Sequence, residues 1–174
     1  MYKRQVLYWY TKGIFNSGSH VIDILQWFFG DIDWIRATNT VDIGRPDPNI
    51  DGYIMFKSGV PCTLATVDWR KFIVADFDII GTTGRVVLDN AGTLHYYRKQ
   101  KSRRFSGESE IIKADFPYEL LPNSPMIEAV NNIYNALAYP GSELACTGQD
   151  GLSSVRVVQA FLKSHGKLVK ILRE

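Results

Sequence analysis

The chain has 174 residues, 45% of them hydrophobic and 22% charged, with a net charge of +2. That length suits one domain over residues 1–174, burying roughly 70% of its unfolded surface and building a core without disulfides or metals. So small a charge gives no ground for nucleic-acid binding, and no apolar run is long enough to span a bilayer.

The opening segment, "MYKRQVLYWYTKG", has basic residues but no apolar run of signal-peptide type, which makes a cytoplasmic location the default. Next comes "FNSGSHVIDILQWFFGD", Phe15 to Asp31, where a small polar loop carries a histidine into an apolar helix. Val21, Ile24, Leu25 and Phe28 fall at helical spacing, with Asp23 and Gln26 off that stripe. Asn16, Ser17 or Ser19 can cap the start, and Gly30 ends it.

The pattern then turns to β. "IDWIRATNTVDI" (Ile32 to Ile43) is rich in β-branched and aromatic residues, and "RPDPN" is a turn. In "DGYIMFKSGVPCTLATVDWR" a turn at Lys57, Ser58 and Gly59 joins two strands. "ADFDIIGTTGRVVLDNAGTLHYYRKQ" gives three more, with turns at Gly81–Gly84 and Asn90–Gly92, and "EIIKADF" another. The basic run Arg98–Arg104 reads as a solvated hairpin or loop rather than a phosphate patch.

Two helices follow. "PMIEAVNNIYNALAY" places Ile127, Val130, Ile133 or Tyr134, and Leu137 on one side, before Pro140 and Gly141. "GQDGLSSVRVVQAFLKSHG" places Leu152, Val155, Val158 and Leu162 on one side, with Asp150 as its cap and Gly166 as its stop. "KLVKIL" closes as a last strand or tail. Six or seven strands in the middle with helices at both ends predict an α+β fold: a mostly antiparallel open sheet with helices packed on one face. The other face must be polar or covered by another chain.

Cys62 and Cys146 are far apart in sequence, which leaves open two free thiols or one disulfide. His20, His95 and His165 stand alone, without metal-ligand spacing, so no metal site is expected. Trp69, Tyr96 and Tyr97 read as sheet-face or interface side chains, and His95 and His165 receive no role.

His20 falls at the expected start of the first helix, where free N–H groups and the positive end of the helix dipole disfavour the imidazolium. A neutral ring there can accept a proton from a substrate hydroxyl. Asp23, three residues on, can orient the ring or support the helix, and Gly18 permits close approach of backbone or ligand. A histidine at a helix start also serves simply as a cap.

"GIFNSGSHVIDILQWFFGDIDWIRA" resembles the signature of the Gfo/Idh/MocA oxidoreductases, in which a Gly-rich loop and G-x-H-x-x-D open the first long helix of the C-terminal domain. Trp27 to Gly30 matches its W-x-x-G. "DGYIMFKSGVPCTLAT", "FDIIGTTGRVVLD" and "GQDGLSSVRVVQAFLKSHGKLVKI" resemble later segments in the same order, so the resemblance covers nearly the whole chain.

The resemblance implies a C-terminal domain of dihydrodipicolinate-reductase-like fold that supplies substrate contacts and a catalytic histidine, His20. It implies hydride exchange between NAD or NADP and a sugar or nucleotide-sugar carbon, and a homo-dimer or tetramer built through the sheet face. Asn16 stands where many members have Asp; it cannot act as a base but can hold a hydroxyl. Trp9 and Lys12 lie where the family often contacts substrate: a Trp face suits a sugar ring and Lys a phosphate or carboxylate. No G-x-G-x-x-G occurs, so the Rossmann domain is expected to be missing and this chain to hold no cofactor and be inactive alone. The rival expectation is a stand-alone, non-catalytic assembly or sugar-binding module, with His20 only a cap.

Overall fold

The computed structural model describes residues 3–42, 44–118 and 124–172. Ile43, which closes the first strand expected from the sequence, lies outside the described residues, as do the first two residues of the opening segment.

The chain begins with β1 (Lys3–Tyr10), a π-helical turn (Gly13–Gly18) and α1 (Ser19–Phe29). The sheet continues through β2 (Ile32–Val41), β3 (Asn49–Phe56), β4 (Pro61–Thr66), β5 (Asp76–Gly81), β6 (Gly84–Leu88), β7 (Leu94–Lys101) and β8 (Ser109–Ala114). Then come α2 (Pro125–Ala138), α3 (Gly148–Ser164) and the short β9 (Val169–Lys170). Among the described residues nine strands form one sheet in the order β8-β7-β6-β5-β1-β4-β3-β2-β9. Every pairing is antiparallel except β1 with β4, which is parallel. The α+β class and the open sheet agree with the sequence reading.

Strand β1 is absent from the strands read from sequence, yet it sits mid-sheet between β5 and β4. Its alternation is masked because both faces carry large side chains: Val6, Tyr8 and Tyr10 are buried, while Leu7 and Trp9 project from the other face. Tyr10 is anchored on both sides of its hydroxyl, which donates to Ile50 O (2.9 Å) and accepts from Ile50 N (3.0 Å). Burial, the largest influence, pushes that phenol well above its ordinary range.

Helices α1 and α3 cover one face of the sheet, and both are rotated from the stripes the sequence suggests. On α1 the buried residues are Val21, Ile22, Leu25 and Phe29, while Ile24 and Phe28 are exposed at 43% and 39%. On α3 they are Ser154, Val157, Val158, Ala160, Phe161 and Ser164, while Leu152 and Val155 face outward. The buried serines hide the true stripe. Ser154 Oγ donates to Asp23 Oδ1 (3.3 Å), and Ser164 Oγ accepts from Ala37 N (3.0 Å), so each is paired as burial requires. The cap of α3 is Thr147, not Asp150 alone: Asp150 N donates to Thr147 Oγ1 while Thr147 N donates to Asp150 Oδ2, a reciprocal capping box.

Helix α2 has the expected span, but none of its described residues is buried. Among the described residues no helix packs on the sheet's opposite face: Trp9, Tyr53 and Ile80 are exposed there, and Arg85 Nε donates to Asp78 Oδ1 (2.8 Å) with its guanidinium 5.7 Å from the Tyr97 ring centre. Both cysteines are free thiols, Cys62 buried and Cys146 exposed. Burial pushes the Cys62 thiol up to about 12.

Candidate functional site

The helical run that carries the histidine begins earlier than the sequence suggests, at Gly13 rather than beside His20. Its opening N–H groups are answered by the loop before β3, not by Asn16, Ser17 or Ser19. Asp47 accepts from Phe15 N (2.7 Å) and Asn16 N (3.0 Å) through its two oxygens. Gly13 N donates to Asn49 Oδ1 (2.8 Å) and Ile14 N to Pro48 O (2.9 Å). The positive end of the dipole therefore lies more than a turn before His20, and the helix-start argument for that residue falls away.

Two glycines make this junction possible. Gly13 has φ +90°, and a Cβ there would overlap the Asp47 carboxylate. Gly18 is a correction to the sequence reading: its bare Cα admits Ile14 and the Tyr10 ring, at 2.8 and 3.3 Å from where a Cβ would stand, rather than a ligand. Beside Gly13, Lys12 is held in the left-handed region at φ 69°, and Asp42 at φ 60°. Such backbone costs of order 1–3 kcal/mol in a non-glycine residue and gathers at functional sites.

Lys12, Gly13 and Asn16 line one wall of a cleft of about 310 Å³. Asp42, Arg45, Asp47, Asn49 and Trp69 complete it. Trp69 lies in the turn after β4 and lines this cleft, which corrects its reading as a sheet-face side chain; Arg45 and Asp42 were not singled out by the sequence. Nothing in their spacing foretells the meeting, because the loop after β2 and the loop after β4 reach the cleft only through the sheet.

His20 is exposed, one turn beyond Asn16, which is also exposed. It shares a helix face with Ile24 and Trp27, four and seven residues on. Asp23 turns elsewhere: it accepts from Ser154 on α3, and among the described residues no hydrogen bond joins it to His20. Trp9 is not brought to the cleft. It projects from the helix-free face of β1, opposite to Tyr10, and is 37% exposed. The structure therefore gathers Lys12 and Asn16 with His20 nearby, and separates Asp23 and Trp9 from them.

A second, larger cleft of about 580 Å³ lies between α1 and the start of α3, lined by Asp23, Trp27, Cys146 and Ser153 among others. Gln26 Nε2 donates to Ser153 Oγ (2.6 Å) at its edge. Burial, then Asp23 and Asp150, raise the Cys146 thiol. Among the described residues no group of three His, Cys, Asp or Glu side chains could hold a metal ion, and no helix is long and apolar enough to cross a membrane.

The open, mostly antiparallel sheet with helices on one face is the architecture of an α/β domain of the oxidoreductase C-terminal type. The chain belongs to the Gfo/Idh/MocA group, matching the family model described as "Oxidoreductase family, C-terminal alpha/beta domain" over residues 11–171. A search of curated protein sequences finds no match. Among solved structures, the chain is similar to levoglucosan dehydrogenase in complex with NADH and levoglucosan, with a TM-score of 0.75 at 14% identity, covering 99% of this chain and 60% of that one. The WlbA dehydrogenase of Bordetella pertussis, in complex with NADH and UDP-GlcNAcA, gives 0.67 at 16% identity, covering 99% and 56%. An oxidoreductase of Agrobacterium radiobacter, in complex with NAD+, L-tartaric acid and magnesium, gives 0.67 at 18%, covering 97% and 56%. The chain thus spans little more than half the length of these proteins.

Proposed function

We propose that this chain is the substrate-side and oligomerisation domain of an NAD(P)-dependent oxidoreductase acting on a hydroxyl-bearing carbon of a sugar or nucleotide sugar, within the cytoplasm. Its own residues do not fit a dinucleotide: among the described residues no strand runs through G-x-G-x-x-G into a helix. The cofactor would be held by a Rossmann-type half, and when bound would accept the hydride from the substrate carbon.

The observation that carries this reading is the exposure of His20 one turn from Asn16, beside the cleft that holds Lys12. The exposed imidazole takes the hydroxyl proton, provided a second lobe places the substrate within hydrogen-bond reach. Asn16 holds the hydroxyl through its amide, since its backbone N–H is already given to Asp47. Asp23 keeps α1 in place against α3 through Ser154 and acts as a support. The helix-free sheet face, with Trp9 and Tyr53 outward, pairs with a second copy; light scattering at tens of micromolar should return a dimer or tetramer, and a monomer contradicts that part.

The decisive measurement joins the chain to a dinucleotide-binding half and replaces His20 with Ala. Loss of a general base lowers turnover by about 10²–10⁴-fold. An unchanged rate removes His20 from the chemistry. The 174-residue chain alone should show no NADH binding by calorimetry; tight stoichiometric binding overturns the division of labour.

A further inference from the structure

We propose that the groove between the sheet edge at β9 and the second half of α3 takes an extended, acidic segment of a partner protein, which adds to β9 as a further strand. The groove shares no lining residue with the cleft that holds Lys12, so its occupancy is independent of the oxidoreductase reading.

Strand β9 has β2 on one side and, among the described residues, no strand on the other. Val169 pairs with Ile35 and Lys170 with Trp34, while Ile171 N donates to Asp33 O (2.9 Å). In an antiparallel ladder that pattern makes Lys170 the non-hydrogen-bonded partner, so its N–H and C=O point away from β2. They offer an incoming strand one donor and one acceptor, the main-chain part of strand addition at a free edge.

Side chains select the segment. Beside the edge runs a groove of about 470 Å³ with Ala160, Val169, Ile171 and Leu172 as its apolar wall. Arg156, Lys163 and Lys170 also line it, and no carboxylate does. Lys163 and Lys170 are exposed, and among the described residues neither makes an ion pair. Asp33 meets β9 through its backbone carbonyl, and Asp31, on the neighbouring cleft, pairs with Lys57 (3.4 Å). The groove therefore draws in negative charge. Val169 shares the helix-covered face with buried Ile35, and Lys170 shares the other face with Trp34. Successive side chains of an added strand alternate in the same way, one towards the Val169–Ile171 wall and the next towards Lys170. The segment that fits alternates apolar and acidic residues.

The experiment titrates the 174-residue chain with three capped hexapeptides, each to about 5 mM, and follows backbone amide shifts by NMR. One peptide alternates Glu and Val, one alternates Lys and Val, and one is a block isomer with its Glu residues first and its Val residues last. The alternating acidic peptide should bind at about millimolar Kd, with shifts centred on β9 and the second half of α3, and the other two more weakly. Lys170→Gln and Lys163→Gln, which remove a charge and keep the backbone donor, should each weaken it about threefold. Lys170→Pro also removes the outward N–H, a change an edge strand tolerates, and should weaken it about tenfold. Lys99→Gln, an equal loss of charge on β7 at the far side of the sheet, should leave affinity unchanged. Equal binding of the Glu and Lys peptides overturns the charge selection, and equal binding of the block isomer overturns the alternation. Absence of shifts at β9, or an affinity untouched by Lys170→Pro, overturns strand addition. A fall in the mass of the peptide-free chain on Lys170→Pro, read by light scattering, gives the edge to a second copy and overturns the partner segment.

Discussion

Helices α1 and α2 have comparable amphipathic patterns but opposite fates. Helix α1 lays Val21, Ile22, Leu25 and Phe29 into the core, with Leu25 fully buried. Helix α2 leaves Ile127, Val130, Ile133 and Leu137 at 53% exposure or more, Leu137 reaching 83%. The difference lies in attachment. The run leading into α1 is fixed at its start by Asp47, Pro48 and Asn49 and crosses the sheet, whereas α2 is tied by Asn132, whose side chain bonds Glu143 O (3.1 Å) and Ala145 N (2.9 Å) in the following loop. Periodicity states that a helix has an apolar face; topology decides whether this chain covers it.

The largest expected effect tests that contrast directly. Leu25→Ala removes a fully buried side chain and should cost about 2–5 kcal/mol in chemical denaturation. Leu137→Ala, on the exposed face of α2, should stay within about 0.5 kcal/mol. Comparable losses at both positions would mean that α2 is packed in solution and that the contrast fails.

The same lesson governs what the sequence made legible. Strand–turn–strand spacing through residues 51–114 gave the hairpins, because turns such as Lys57-Ser58-Gly59 and Asn90-Ala91-Gly92 are local chemistry. Helix existence was equally local. Helix orientation was not: the stripes on α1 and α3 came out rotated because paired buried serines and the Phe29 position depend on partners far along the chain. Within the site, the order of Lys12, Asn16 and His20 was readable, since all lie within one segment. Trp69 and Arg45 were not, because they arrive from loops more than thirty residues away from Lys12 in sequence, and only the sheet brings them together.

A middle-sized effect belongs to the junction that starts the run into α1. Gly13→Ala combines a left-handed backbone with overlap of the Asp47 carboxylate, and should cost more than about 1 kcal/mol. Asp47→Ala leaves two N–H groups without their acceptor and should cost about 1–2 kcal/mol, as loss of a helix cap does. The two changes touch the same atoms, so the double variant should lose less than the sum. Strict additivity in urea melts would show that the two residues do not meet.

The smallest effect lies at the start of α3 and carries a sign. Thr147, chiefly through its hydroxyl and then its backbone N–H, holds the Asp150 carboxyl below the usual carboxylate range. A carboxyl lowered in the folded state stabilises the fold above its unfolded value, about 4, and that contribution disappears as pH falls through the lower folded value. Thr147→Ala should therefore lower the thermal midpoint by a few degrees at neutral pH. Its gap from the parent should narrow as pH falls through the lowered folded value and the carboxyl gains its proton, leaving only the part due to the Thr147 hydroxyl accepting from Asp150 N. Asp150 is fully exposed, so the effect is modest and weakens further in salt. A gap that stayed constant from neutral to acid pH would assign the cap to the threonine hydroxyl alone and remove the carboxylate from the start of α3.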